Sequence, residues 1–257
     1  MKKTVLLWIV LLFGLPISVY ADIRVTPTIT QLNLSPGEER SDSFLVSNYE
    51  GKQTSIEIEI EDLFKQPTED KSIDVNSWIE VESRIFNICP GETKKIGYKV
   101  KTPAGYAGEL RFSVFFATQD RAIGNVGIRK RFGVAIYVAI KGTEIVKAEI
   151  SDISISEIKS SAHGKDIGFS VIVQNKSNVH IRPQGKVLIK DNEDNVVKEL
   201  LLPYGFPIMP NSTHPYYVAY ENCDLLPGRY KAIALIQYGD TYGLSKGCEN
   251  QTFFSIK

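Results

Sequence analysis

The sequence predicts an all-β protein that consists of two tandem immunoglobulin-like β-sandwich domains after a cleaved signal peptide. Many short runs place an apolar residue at every second position, which is the period of a half-buried strand. Turns rich in Pro, Gly and Asn separate these runs at regular spacing, as they do in sandwich folds. The mature chain contains no convincing apolar stripe of helix length with the 3.6-residue period. Together these observations favour packed strands over a helical architecture.

The first 21 residues have the three parts of a signal peptide. Two lysines open the segment, residues 5–15 are apolar, and the small residue Ala21 suits cleavage directly after it. No later run reaches the ~18–20 apolar residues that a membrane span needs. The sequence therefore predicts a protein of the periplasm, or a secreted one, that has no membrane span.

The mature chain is long enough for two domains of about 100–125 residues each. Residues 142–144 form the expected linker, so we predict one domain at 22–142 and a second at 145–257. In the first domain, isoleucines alternate with glutamates over residues 56–61, which predicts a strand with an acidic face toward water. In the second, the Asn-rich turn 191–195 joins two apolar runs as a hairpin.

The stretch 109–141 dominates the first domain. Two long apolar runs, residues 110–117 and 131–140, flank a link that contains Gly and Asn, which predicts an antiparallel hairpin. The second run has a bulky apolar residue at every even position: Phe132, Val134, Ile136, Val138 and Ile140. We expect this strand to form a docking edge. Part of its row, above all Val134, Ile136 and Val138, is expected to be accessible in the free protein, where it could also support self-association.

Charge excludes one class of partner and leaves a local question open. The chain has 30 basic and 30 acidic residues and no dominant basic patch, which disfavours nucleic acid. The basic cluster of residues 129–131 can be a solvated hairpin end that protects the strand edge from aggregation. Alternatively, it can anchor a partner's carboxylate or an acidic polymer.

Three cysteines remain in the mature chain. Cys223 and Cys248 belong to the same half, so in an oxidising compartment they could form a disulfide and leave Cys89 free. Three buried thiols are the alternative. No CxxC motif or Cys/His zinc spacing is present, and we therefore expect neither a metal nor a cofactor.

The sequence gives no support for an enzyme. Residues 243–247 match the G-x-S-x-G pattern, but that motif requires a strand-to-helix turn, and the catalytic His should follow the Ser. Here all three histidines (His163, His180 and His214) precede Ser245, so we predict an ordinary loop. The histidines are isolated in sequence and are expected to be solvated or incidental. The N-x-S/T sequons at Asn175, Asn211 and Asn250 are treated as chance matches.

The N-terminal half resembles the immunoglobulin-like periplasmic chaperones of the chaperone–usher pilus pathway. The shared features are a signal peptide, an N-terminal strand with Arg24, the turns at 36–37 and 90–92, and a long alternating strand that closes the first domain. The resemblance implies that this strand lends its apolar row to an incomplete pilin subunit. It also implies a basic pair in the interdomain cleft that holds the subunit's C-terminal carboxylate. Arg24 would be the first member, whereas Arg131 and Lys141, which flank the strand, are candidates for the second.

The same features are similar to a second family. These are cell-surface proteins whose paired immunoglobulin-like domains bind peptidoglycan and a surface-protein partner. The segment from the Pro-Gly-Glu turn at 90–92 through the Gly-rich residues 103–108 is similar to the corresponding segment of that family. We therefore predict an exported, non-enzymatic binding protein, and place a chaperone that captures subunits by β-strand addition ahead of a surface or wall-binding module. An exported hydrolase is the weakest hypothesis.

Overall fold

The computed structural model describes residues 23–62, 74–118, 121–123, 126–158, 166–239 and 246–256. The predicted signal peptide, His163 and Ser245 lie outside these ranges. The described residues are almost entirely strands and turns, as predicted, and the exception is a single turn of 3-10 helix at Val75–Ser77. Within this part of the chain, no helix has the length and apolar character to cross a membrane.

In the described part of the chain, the first sandwich contains eleven strands. They are β1 (Ile23–Thr26), β2 (Ile29–Leu34), β3 (Glu39–Asn48), β4 (Thr54–Glu61), β5 (Ile79–Val81), β6 (Ile85–Ile88), β7 (Thr93–Lys101), β8 (Glu109–Thr118), β9 (Arg121–Ile123), β10 (Val126–Ile128) and β11 (Arg131–Ile140). One layer has the order β1-β3-β7-β5 and the other has the order β2-β11-β8-β4-β6, while β9 and β10 form a separate small hairpin. The inward side chains of the two layers form one apolar core.

Seven strands form the second sandwich within the residues that the structure describes. They are β12 (Ala148–Ile158), β13 (Asp166–Asn175), β14 (Gln184–Lys190), β15 (Val196–Leu201), β16 (Thr213–Tyr220), β17 (Gly228–Tyr238) and β18 (Lys246–Ile256). Its layers have the orders β12-β13-β16 and β15-β14-β17-β18, and they enclose a second core. The predicted Asn-turn hairpin is confirmed as β14 and β15. Two immunoglobulin-like sandwiches in tandem therefore match the fold class that the sequence predicts.

A buried asparagine recurs at the same structural position in both sandwiches. Asn48 ends β3 and Asn175 ends β13, and both side chains are almost fully buried. Each donates to a main-chain carbonyl four residues later, at Lys52 (2.8 Å) and Val179 (3.0 Å). Each also donates to a carbonyl of a distant segment and accepts the N–H two residues on. The amide satisfies main-chain groups that a turn would otherwise leave unpaired, so the Asn175 sequon is part of the core architecture.

The antiparallel hairpin of the first domain is confirmed. β8 and β11 pair over nearly their whole length, from Arg131 opposite Ala117 to Ala139 opposite Glu109. On its other side, β11 pairs in parallel with β2, but only from Ala135 to Ile140. The long strand is thus enclosed by neighbours on both edges over its second part and on one edge over its first.

The expectation that the apolar row of β11 is accessible is wrong. Val134, Ile136, Val138 and Ile140 have no exposed side-chain surface, and Phe132 packs partly against the same core. The strict alternation that suggested a donor row places these residues on the inward face of a two-layer sandwich, where the opposite layer covers them. The same alternation serves a core strand and a donor strand equally well, so the sequence pattern could not separate them.

The predicted disulfide is also contradicted, because all three cysteines are free thiols. Cys223 lines a cavity at one end of the second sandwich together with Ile256. Cys248 lies eight residues from Ile256 on β18, roughly 26 Å away at a rise of about 3.3 Å per residue. A disulfide needs Cα atoms about 4.4–6.8 Å apart. Membership in the same half of the chain does not bring the two cysteines to the same end of the sandwich.

Candidate functional site

The first part of β11 presents an open strand edge. Residues 131–134 pair with β8 on one side, whereas the parallel pairing with β2 begins only at Ala135. The Ala135 N–H points to the β2 side, because it donates to Thr28 O (3.1 Å), and main-chain direction alternates along a strand. The N–H and C=O groups of Arg131 and Gly133 therefore point to that side as well. Among the described residues, no strand pairs with these groups in a ladder, although β1 lies in contact with β11.

The outward face beside this edge is built around Gly133. Gly133 lies opposite Phe115 of β8, and a Cβ atom on Gly133 would come within 2.9 Å of that ring. The Phe115 ring in turn supports the Arg131 guanidinium, whose centre lies 4.0 Å from the ring centroid. The missing side chain at Gly133 thus leaves room on this face for the Phe115 ring and the Arg131 guanidinium.

The basic cluster at the start of β11 is neutralised within the domain. Arg129 contacts Glu57 and Glu59, each at 2.7 Å, and Arg131 contacts Glu59 (2.7 Å) and Glu61. The glutamates are the outward row of β4, whose acidic face was predicted from the sequence. Because these arginines already have carboxylate partners, the structure favours the first of the two interpretations, a hairpin end that stabilises its own sheet. Arg131 as a partner anchor remains a prediction.

The second sandwich covers the other end of the same outward face. Register places Gln31, Tyr137 and Arg111 in one row across β2, β11 and β8, with Glu109 in the next row. His180, from the segment between β13 and β14, lies over this row, and its ring centroid is 4.2 Å from that of Tyr137.

His180 is the centre of a buried polar junction between the sandwiches. Its side chain is 1% exposed, and Nδ1 lies 2.5 Å from Glu109 Oε2. Gln31 Nε2 lies 3.3 Å from His180 Nε2 and can donate to it, which leaves Nδ1 as the protonated nitrogen that donates to Glu109. The expectation that the histidines are solvated or incidental is therefore wrong for His180. Sequence spacing could not reveal a partner 71 residues away.

The junction is completed by close main-chain packing at the linker. Gly108 has a positive φ of 89°, and a Cβ atom there would lie 2.6 Å from Asn178 O. The Gly108 N–H donates to Thr143 Oγ1 (2.9 Å), and the Asn178 amide donates to Thr143 O (2.9 Å). A glycine at position 108 therefore lets the two sandwiches approach closely enough for the Glu109–His180 contact.

Two arginines that the sequence analysis missed lie at this junction, and we refer to the surface around Tyr137 and Arg182, where the two sandwiches meet, as the interdomain cleft. Arg111 is almost fully buried in the covered row, and the Arg182 guanidinium centre lies 5.9 Å from the Tyr137 ring centroid. Burial raises the pKa of the Tyr137 phenol above its ordinary value, an effect that Arg182 partly offsets. Tyr137 is thus a neutral hydrogen-bonding group at physiological pH.

The predicted anchor residues lie at two ends of the first sandwich, Arg24 and Arg131 at one end and Lys141 at the other. Arg24 is exposed on β1 opposite Ser47, at the end of the first sandwich that carries the turn after Asn48. The interdomain cleft is at the opposite end, so the placement of Arg24 in that cleft is wrong. Lys141 is exposed directly after β11, near the linker. The split of the N-terminal segment into β1 and β2, which join different layers, carries Arg24 away from the cleft.

Known structures share this two-sandwich fold. The class 5 fimbriae chaperone CfaA aligns with a TM-score of 0.51 and 13% sequence identity, over 90% of this chain and 98% of that chain. A chain from the chaperone–tip adhesin complex of CFA/I fimbriae biogenesis aligns with a TM-score of 0.50 and 14% identity, over 90% of this chain and 99% of that one. No family model and no curated protein matches the sequence. At these identities the likeness concerns the fold.

Proposed function

We propose that this protein is a non-enzymatic periplasmic chaperone that captures pilus or surface-fibre subunits by β-strand addition. The observation that carries the proposal is the open edge at residues 131–134 of β11, beside the outward face around Gly133 and the interdomain cleft. Main-chain groups on such an edge give affinity for an extended segment, and the side-chain rows next to it give register. The likeness in fold to fimbrial chaperones supports the same function.

The mode of capture differs from the one that the sequence suggests. The even-numbered row of β11 stays in its own core, so the client is offered main-chain hydrogen bonds from Arg131 and Gly133. Gly133 and Ala135 are the small outward residues of this strand near the edge, and they let the client strand approach closely there. The client segment supplies most of the apolar surface that it buries with the strand.

The cleft supplies positive charge for a carboxylate of the client. Arg182 has no ion-pair partner among the described residues, and Lys141 is exposed at the same end of the first sandwich. A carboxylate that reached the Tyr137 row would therefore meet Arg182 first.

A proline substitution at one position of this edge tests the proposal. Gly133→Pro removes an outward N–H without breaking the ladder to β8, because proline is tolerated where its nitrogen faces an open edge. Gly133→Ala is the matched control, since it adds the same Cβ beside Phe115 but keeps the N–H. We expect the proline variant to stay folded and to bind a strand-forming subunit or peptide at least about tenfold more weakly than the alanine variant.

Equal capture by the two variants would refute strand addition at this edge. Recovery of peptidoglycan fragments rather than protein subunits on the purified wild-type protein would instead favour the wall-binding alternative.

A further inference from the structure

The second sandwich carries an exposed aromatic loop next to the cleft. Tyr204 is 75% exposed and Phe206 is 59% exposed, although both belong to a short segment between two well-buried residues, Leu202 and Ile208. Large exposed aromatic rings on a loop are typical of contact surfaces, since Tyr and Trp dominate binding hot spots and Phe is enriched at interface cores. We refer to residues 203–207 as the aromatic loop.

The aromatic loop is rigid. Prolines occupy both of its ends, and Gly205 at its centre adopts a φ of 101°, which other residues rarely reach. Arg182 Nη1 donates to Gly205 O (2.6 Å), and the Phe206 ring stacks on His214 with a centroid distance of 5.9 Å. The loop backbone and the Phe206 ring are therefore held in place before any partner arrives, which lowers the entropy cost of binding.

The loop is positioned by the residues that form the interdomain junction. Ile208 pairs with Ile181 through two main-chain hydrogen bonds, of 2.8 and 3.1 Å, directly beside the junction residue His180. Arg182 then links Gly205 to the vicinity of the Tyr137 ring on β11. The exposed rings thus stand at the rim of the cleft that faces the outward side of the β2–β11 layer.

An exposed apolar residue lies between the open edge and the row next to this loop. Ile29, the first residue of β2, is 49% exposed and lies opposite Ala135 in the outward row next to Tyr137. A strand added along residues 131–134 meets the start of β2 at this point and must leave the edge. Its continuation toward the second sandwich passes over Ile29 and reaches the aromatic loop.

We propose that the aromatic loop is a second docking point, which binds an apolar continuation of the same client segment that pairs with β11. This inference rests on the proposed function and extends it, because it assigns a contact to the second sandwich and a chemical character to the client. The segment would alternate apolar and polar residues where it pairs with β11 and would carry bulky apolar side chains where it leaves the edge.

Three labelled peptides test the inference. The first is a short peptide of alternating Val and Thr, matched in length to the open residues 131–134, with terminal lysines for solubility. The second peptide carries an additional Leu-Phe-Leu at its N-terminus. The third carries the same extension at its C-terminus. We expect the extension to strengthen binding to the wild-type protein about tenfold when it is at one end of the peptide and not at the other. In the loop variant, which combines Tyr204→Ser and Phe206→Ser, we expect this gain to be lost.

The control is Tyr217→Ser, which removes a ring of similar exposure on β16. It should leave the gain unchanged. If the loop variant keeps the gain, the docking point is refuted while the proposed function stands, provided that Gly133→Pro still weakens the short peptide. If Gly133→Pro and Gly133→Ala bind the short peptide equally, strand addition fails and this inference fails with it.

Discussion

The two parts of β11 have the same sequence pattern and opposite structural environments. Residues 135–140 have a neighbouring strand on both edges, and their outward residues Tyr137 and Ala139 lie under the second sandwich. Residues 131–134 have a ladder partner on one edge only, and Gly133 is exposed on their outward face. The covered part holds the two sandwiches together, whereas the open part carries the proposed binding edge. In the described chain, the candidate site is the part of β11 that neither β2 nor the second sandwich covers.

The largest expected effect is on the covered part. Ile136→Asp buries an unpaired carboxylate in the first core and should destabilise the domain by roughly 3–5 kcal/mol, enough to unfold it or nearly so. Thermal unfolding followed by circular dichroism measures this directly. A folded variant with an unchanged melting temperature would contradict the burial of the row and restore the donor-row hypothesis.

The junction should respond less strongly. Glu109→Ala leaves the buried His180 ring without its partner and should cost about 1–3 kcal/mol. Because the bond joins two sandwiches, we also expect a broader range of interdomain angles, which small-angle X-ray scattering can detect. Glu249→Ala, at an exposed carboxylate of β18, serves as the control and should change neither quantity.

The ion-pair row next to the open part should matter still less. Glu59 contacts both Arg129 and Arg131, but all three side chains are partly exposed. Glu59→Gln should therefore lower the free energy of unfolding by about 0.2–1 kcal/mol, and 0.5 M salt should reduce the difference further. A loss of several kcal/mol in chemical denaturation would indicate that this row holds β11 in register.

Reduction should have no effect on stability. With three free thiols, the melting temperature should be the same with and without dithiothreitol. In the folded protein, a thiol reagent should modify the exposed Cys89 first and Cys248 late, because burial raises the pKa of the Cys248 thiol. Peptide mapping that found Cys223 bound to Cys248 would overturn the described arrangement of the second sandwich.

The sequence was sufficient to predict the fold class, the β8–β11 hairpin and the acidic outward row of β4. These features are local: alternation with period two requires only that one face be buried, and a turn requires only a few residues with suitable backbone preferences. The hairpin β14–β15 was predictable for the same reason.

The site depended on contacts between distant residues, which local patterns do not encode. The alternation of β11 indicates one apolar face, but only the second layer of the sandwich makes that face a core. His180 is a junction residue because Glu109 lies beneath it. Cys223 and Cys248 are apart because Cys248 lies near the start of the extended strand β18, whereas Cys223 lies beside Ile256 at its end. The sequence alone determined which segments form strands and which of their faces are apolar. Only the tertiary structure decided which edge stays open, since an edge is free or paired according to strands that are remote in the chain.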